Sequence, residues 1–315
     1  MSRAEKIARA IPAKFHMLSG SEDKQTSADV YNVGQFELPD PAGKAGGACT
    51  STLLKVLNDN RGQPMSWIEL LRRMREVLRQ KGFSQVPQLS SSEMLNVDNQ
   101  FHIVSPATRE CNGAKRAILI GINYTGQQGQ LSGCHNDVEN IKNYLIRKEG
   151  FLEKDMLILM DDGRHHQPTR KNIMDALVRI TQYSQAGDTV FIHYSGHGGR
   201  VPDKDGDEDD GYDETLIPVD FKNAGQIVDD ELFEVLVKKM PKDVHVTVLM
   251  DCCHSGTVLD LPYNVNATES KMHENFGFNM GMLDNQAILC CALLTFCFAD
   301  EICEVLGSIL GGLDG

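Results

Sequence analysis

Two adjacent cysteines and a group of histidines stand where apolar strands end. Val244-His245-Val246-Thr247-Val248-Leu249 is a β-branched run that reads as a strand buried on both faces, and Met250-Asp251-Cys252-Cys253-His254-Ser255-Gly256 follows it directly. Asp188-Thr189-Val190-Phe191-Ile192-His193-Tyr194 is a second such run, leading into Ser195-Gly196-His197-Gly198-Gly199. In open α/β sheets the ligand crevice lies beyond the carboxyl ends of the strands, so a thiol and an imidazole are expected at one sheet edge. A thiol beside an imidazole is a nucleophile with its base.

Neighbouring residues on an extended chain face opposite ways, so at most one of Cys252 and Cys253 meets His197, and His254 is badly placed to serve Cys253. The expected dyad is Cys253 with His197. Backbone N–H groups of Cys253 and Gly198 are expected to receive the oxyanion of a tetrahedral intermediate. His193 lies inside its strand and reads as a core or surface imidazole. A zinc site of Cys252, Cys253 and His254 is disfavoured, because that spacing cannot wrap one tetrahedral ion.

Residues 1–14 read as a lead, and Phe15 to Ser19 as a short strand in a first region spanning 15–104. That region continues through a glycine-rich bend, Pro39 to Gly47, and an apolar helix from Cys49 to Leu57. Ser66 with Glu69 forms a capping box that starts a helix ended by Gly82. Ile68, Leu71, Met74, Val77 and Leu78 line one face of that helix, and Arg72, Arg73, Arg75 and Arg79 a solvated one. Residues 105–114 are the linker. An alternating βα pattern then fills 115–262, with strands over Arg116 to Asn123 and Met156 to Met160, the His and Cys strands, and helices between them. This predicts an α/β protein with a mostly parallel sheet covered on both faces. Residues 263–315 form a tail whose apolar positions, from Ile288 to Ile309, suit a packed helix.

The chain has 315 residues, enough for one large domain or two small ones. Its net charge is -13, with the excess of acid beyond residue 110. Nucleic acid is therefore not expected as a partner, whereas metal ions and basic peptides are. The nine cysteines are an odd count with adjacent pairs, which suits neither a disulfide framework nor a zinc chelate. No apolar segment has signal-peptide character at the start, and Ala287 to Ala299 falls short of the roughly 20 residues of a membrane span. A monomeric cytoplasmic protein with no membrane span is expected.

Tyr194-Ser195-Gly196-His197-Gly198 and Asp251-Cys252-Cys253-His254-Ser255-Gly256 resemble the catalytic His and Cys motifs of metacaspases, the caspase-like cysteine peptidases. The resemblance runs from Arg116 to Pro262 and includes Gly121-Ile122-Asn123-Tyr124, Leu131-Ser132-Gly133-Cys134, Pro218-Val219-Asp220 and Asp260-Leu261-Pro262. Metacaspases usually carry a small-subunit-like region after the catalytic one. Here the segment similar to its beginning, Ser19 to Asp29, precedes it, together with Gly47-Ala48-Cys49-Thr50 and Gln85-Val86-Pro87-Gln88-Leu89. This order resembles the type III metacaspases, and a permuted chain can keep the same sheet because domain ends are often close.

The resemblance implies a caspase-like fold and an acidic pocket preferring Arg or Lys before the scissile bond, at Cys134, Asp137, Ser195 and Asp251. It also implies Ca2+ bound by Asp213, Asp229, Asp230 and Asp260. The acidic run from Asp203 to Asp210 is expected to be a solvated loop, since Glu208 stands where an EF-hand loop needs glycine. Self-cleavage, where it occurs, is expected at exposed basic residues in flexible segments: Arg109, Lys115, Arg116 and Lys271. The function expected is thus a calcium-activated cysteine endopeptidase acting through an acyl-enzyme. The alternative is a catalytically idle, calcium-responsive interaction module on the same fold.

Overall fold

The apolar runs form a sheet in which strands from both ends of the described chain lie side by side. The computed structural model describes residues 2–20, 29–30, 46–202, 212–252 and 257–274. In chain order the elements are α1 (Arg3–Ala10), β1 (Lys14–Ser19), β2 (Asp29–Val30), β3 (Gly46–Gly47), α2 (Ala48–Asp59), α3 (Trp67–Gln80) and β4 (Gln88–Ser91). The short α4 (Pro106–Glu110) leads to β5 (Lys115–Gly121), α5 (Cys134–Tyr144), β6 (Met156–Met160), α6 (Arg170–Tyr183) and β7 (Thr189–Ser195). Then come β8 (Gly198–Pro202), β9 (Tyr212–Leu216), α7 (Phe221–Ala224), β10 (Ile227–Val228), α8 (Asp229–Leu232), β11 (His245–Asp251), β12 (Tyr263–Asn266) and β13 (His273–Glu274). Leu145–Glu149 prolongs α5 as a π-helical turn.

The main sheet has the order β13-β12-β4-β1-β11-β7-β5-β6. From β1 to β6 all pairings are parallel, with Leu18 opposite Leu249 and Leu249 opposite His193. These five strands are the near-continuous apolar runs that burial on both faces requires. β4, β12 and β13 add an antiparallel flank. A second sheet, β10-β9-β8, hangs from the end of β7.

On α3 the apolar face read from the sequence is the buried one, and the four arginines are exposed. The Ser66 hydroxyl accepts from the Glu69 amide at 3.2 Å, while the Glu69 carboxylate turns to Arg73. Gly82 takes a φ of 83°, the left-handed conformation that ends a helix at little cost only for glycine. Each Leu or Ile buried here contributes about 1.5–3 kcal/mol, so the N-terminal region is bound to the sheet as core.

Three stretches read from composition as lead, linker and tail hold regular structure. The lead 1–14 holds α1, capped by Ser2 and Glu5, with Ala4 and Ile7 buried, and Lys14 already belongs to β1. The linker 105–114 contains α4, capped by Ser105, and Thr108 Oγ1 lies 2.8 Å from Thr189 Oγ1 at the start of β7. Residue 262 does not end the sheet, because β12 pairs with β4 directly beyond it. Short polar strands such as Tyr263–Asn266 take their order from a neighbour's backbone, which no apolar pattern announces. The described residues all fall within one compact unit running to Phe278; the tail helix read from Ile288 to Ile309 and the acidic run from Asp203 to Asp210 lie outside them.

Candidate active site

His197 sits just beyond the buried strand β7 and is held at its backbone by two phenols. Its N–H donates to the Tyr124 hydroxyl at 2.9 Å, and its carbonyl accepts from the Tyr194 hydroxyl at 2.8 Å. The Tyr124 hydroxyl in turn donates to the Ile217 carbonyl at 2.7 Å, and the Ile217 N–H reaches the Tyr194 hydroxyl at 3.2 Å. Each phenol thus gives one proton and accepts one, and the peptides at 197 and 217 are locked together. Burial pushes both phenols far above the usual tyrosine range, so they remain neutral donors. Gly196 makes this possible: a Cβ there would lie 3.0 Å from the Tyr194 oxygen and 3.2 Å from that of Tyr124.

The imidazole of His197 is oriented as well. Its Nε2 lies 2.6 Å from the Gly129 carbonyl oxygen, and its ring centroid lies 4.7 Å from that of Tyr124. A carbonyl only accepts, so Nε2 carries the proton and Nδ1 keeps the lone pair in the neutral ring. Nδ1 is therefore the ring nitrogen able to take up a proton. The loop presenting Gly129 is fixed by Asp161, which accepts from the amides of Asn123 and Thr125 and contacts His135 Nε2 at 2.6 Å. Burial alone would raise the Asp161 carboxyl, but these hydrogen bonds hold it below the usual range.

The strands leading to His197 and Cys253 are neighbours, and Ser195 and Asp251 are register partners. Cys253 itself, with its proposed oxyanion N–H and with His254, lies outside the described residues. Gly198 opens β8 opposite Leu216. Cys252 is buried, as a packing thiol would be, and His193 is a core imidazole 3.1 Å from Thr50 Oγ1.

Three of the four expected pocket residues converge beside this edge. The Ser195 hydroxyl donates to Asp137 Oδ2 at 2.7 Å, and Asp251 lies across the register from Ser195. The fourth, Cys134, opens α5, one helical turn before Asp137. Both acids also receive backbone N–H groups from the N-terminal region: Gly47 donates to Asp137 at 2.8 Å and Thr50 to Asp251 at 2.7 Å. Gly47 is the N-cap of α2 and has no side chain to cap it. Asp251 supplies that cap from the other region, and its charge also suits the positive end of the helix. The Cys49 thiol beside them is pushed well up by burial and by Asp251 and Asp137, so it is a poor nucleophile.

Of the expected calcium ligands, Asp229, Asp230 and Asp260 each offer a carboxylate oxygen, and these atoms lie within 4.8 Å of one another. Asp213 is on β9, next to Glu214, whose amide donates to Asp229 Oδ2 at 2.8 Å. Burial, reinforced by the charges of Glu214 and Asp230, pushes the Asp229 carboxyl far above the usual range. Crowded carboxylates of this kind fit a hard divalent cation, which relieves the repulsion between them. Asp260, a member of the cluster, adopts a φ of 47°, a left-handed conformation uncommon for a non-glycine residue.

The flexible-segment premise for self-cleavage fails at two positions. Lys115 and Arg116 belong to β5, where Arg116 pairs with Asp188 and Lys115 Nζ donates to the Glu149 carbonyl at 2.6 Å. A peptidase must bind its target extended, and a paired central strand cannot be presented that way. Arg109 is on the exposed α4 and Lys271 on an exposed turn.

A family model described as "Metacaspase, peptidase C14 domain" matches residues 115–262, and one described as "Caspase domain" matches residues 2–97. "Metacaspase III c" of Phaeodactylum tricornutum is 52% identical over 283 residues, covering 87% of this chain and 83% of that protein. "Metacaspase-1" of Coccidioides immitis is 50% identical over 166 residues, covering 52% of this chain but only 36% of its own length. A solved protein structure from Geobacter sulfurreducens aligns with a TM-score of 0.37 at 36% identity, covering 46% of this chain and 53% of that one.

Proposed function

The chain belongs to the metacaspases, caspase-like cysteine peptidases, and from that premise we propose that it is a calcium-activated endopeptidase cutting after Arg or Lys. The observation that carries the specificity is the meeting of Asp137, Ser195 and Asp251 beside the strand ends that lead to His197 and Cys253. A guanidinium or ammonium leaving water needs a carboxylate partner, and this site offers two.

The chemistry follows from the orientation of His197. Nδ1 takes the proton of the Cys253 thiol, and the thiolate sulfur attacks the carbonyl carbon of the scissile bond. The carbonyl electron pair moves to oxygen, toward the N–H groups of Gly198 and Cys253. As the intermediate collapses, the C–N bond breaks and the imidazolium returns its proton to the leaving amine. Water, deprotonated by the same Nδ1, then cleaves the thioester and releases the carboxylic acid. The Gly129 carbonyl stabilises the imidazolium formed in each half.

Asp229, Asp230 and Asp260, with Asp213 on the adjoining strand, are the residues that would hold the ion. Calcium there would supply positive charge that fixes α8 and β9 next to β8, whose first residue is Gly198. Support for this reading lies in the all-oxygen donor set and the raised Asp229 carboxyl.

The test is hydrolysis of fluorogenic peptides ending in Arg, Lys or Asp, with calcium, with magnesium and with neither. Calcium-dependent cleavage after Arg and Lys, absent in Cys253→Ala, is expected. Cleavage after Asp would overturn the pocket assignment, and no cleavage of any peptide would favour the idle interaction module.

A further inference from the structure

At the opposite edge of the sheet from His197, the two regions of the chain enclose a cleft. The end of α2, the segment before α4, α4 itself and the π-helical turn after α5 surround a space of about 500 Å³. It lies near the amino end of β5, where Lys115 Nζ donates to the carbonyl of the lining residue Glu149. Clefts between regions, of roughly 300–1,000 Å³, are the usual place for small ligands.

Its charge runs against that of the molecule. In a chain of net charge -13, the wall carries Arg61, Arg109 and Lys148, with Glu149 as its one carboxylate. Arg109 meets Glu149 through a single 3.4 Å contact, and Lys115 stands behind it. Burial pushes the Glu149 carboxyl up, against the pull of Arg109 and Lys115.

The turn that presents Arg61 is held firmly. Arg61 has a φ of 51°, a left-handed conformation that costs a non-glycine residue on the order of 1 kcal/mol and persists only where the surroundings impose it. The Arg61 and Gln63 amides donate to the carbonyls of Asn58 and Asn60 at 3.1 and 3.0 Å, closing the turn. Guanidinium groups match phosphate oxygens two at a time, and amide side chains such as Gln63 and Gln100 add neutral donors at the rim.

We propose that this cleft binds a small polyphosphate, inorganic or carried on an organic group, which bridges the N-terminal and catalytic regions. The volume exceeds what a single phosphate would fill, and cations arriving from three separate segments suit several linked anionic groups. Occupancy would fasten the carboxyl end of α2, whose amino end holds Asp137 and Asp251 through Gly47 and Thr50. The 12 residues of α2 span about 18 Å, so one rigid element joins the cleft to the substrate pocket.

The test is calorimetric titration of the full chain with sodium triphosphate in calcium-free buffer, with ATP as a separate arm. Saturable binding of one triphosphate per chain is expected, weakened at least tenfold in Arg61→Gln with Lys148→Gln. Both side chains are exposed, so the unliganded variant should melt where the wild type does; Gln100→Glu, which adds a repelling charge at the rim, should weaken binding independently. Tighter binding of ATP than of triphosphate identifies an organic carrier, and equal binding identifies the phosphate chain alone. Absence of saturation, or unchanged affinity in both variants, overturns the site. The measurement does not depend on peptidase activity.

Discussion

Tyr124 holds His197 from two directions: its hydroxyl accepts the His197 amide at 2.9 Å, and its ring lies 4.7 Å from the imidazole. Tyr124 pays for this with a φ of 52°, so the backbone is bent to bring the phenol to that place. Tyr124→Phe keeps the ring and removes one accepted and one donated hydrogen bond, each worth about 1 kcal/mol. A fall in kcat of roughly ten- to thirtyfold is expected, with KM for Arg peptides nearly unchanged. A proportionate rise in KM would show that the phenol serves the pocket instead of the base.

The Asp251 carboxylate caps α2, and a Cβ on Gly47 would collide with it. Gly47→Ala should therefore displace the acid without removing it. Expected are a loss of stability of about 1–3 kcal/mol and a rise in KM for Arg peptides, whereas alkylation of Cys253 by a small uncharged reagent continues. Asp251→Asn keeps the shape and should lose Arg turnover with a smaller stability change. Normal Arg turnover in both variants would remove Asp251 from the pocket.

Three buried imidazoles set a response to acid. Burial lowers His193 to about 3 and His245 to about 4, and lowers His16 well below its ordinary value, with His245 and Lys14 adding to the effect. In the unfolded chain each takes a proton near pH 6.5. Their contribution is therefore complete above that pH and is lost as pH falls from about 6.5 toward 4. Asp229, shifted upward, works in the opposite sense over the same window and offsets about one of the three protons. A net slope of up to two protons, about 3 kcal/mol per pH unit, is expected in urea unfolding between pH 6 and 5 without calcium. His193→Gln should reduce that slope by about one proton, and a flat profile in the wild type would contradict the burial of all three.

The carboxylate cluster predicts a selective loss. Asp229→Asn with Asp230→Asn should abolish the rise in activity with calcium while leaving Cys253 able to react slowly with a small alkylating agent. The variant should also be more stable than the wild type in calcium-free buffer, because the burial and crowding that push up the Asp229 carboxyl no longer act on an ionisable group. Full calcium stimulation in the double variant would move the ion elsewhere.

The sequence alone determined the parallel strands, the apolar face of α3 and the His and Cys motifs at strand ends, because each is written in a short run of neighbouring residues. The same runs led to the family, and Asp229, Asp230 and Asp260 were legible only through it. What the tertiary structure decided are relations between residues distant along the chain. β1 lies against β11, α2 takes its cap from Asp251, and the Gly129 carbonyl fixes which nitrogen of His197 keeps its lone pair. Tyr124 and Tyr194 stood within recognised motifs, yet their role rests on a left-handed backbone at Tyr124 and the close approach at Gly196. Lys115 and Arg116 read as self-cleavage candidates because their charge resembles solvent-exposed sequence, but Asp188 and the Glu149 carbonyl hold them inside a strand. A side chain's type is local, whereas its partner is chosen by packing, and burial decides whether a charge remains a solvated surface group or becomes part of a site.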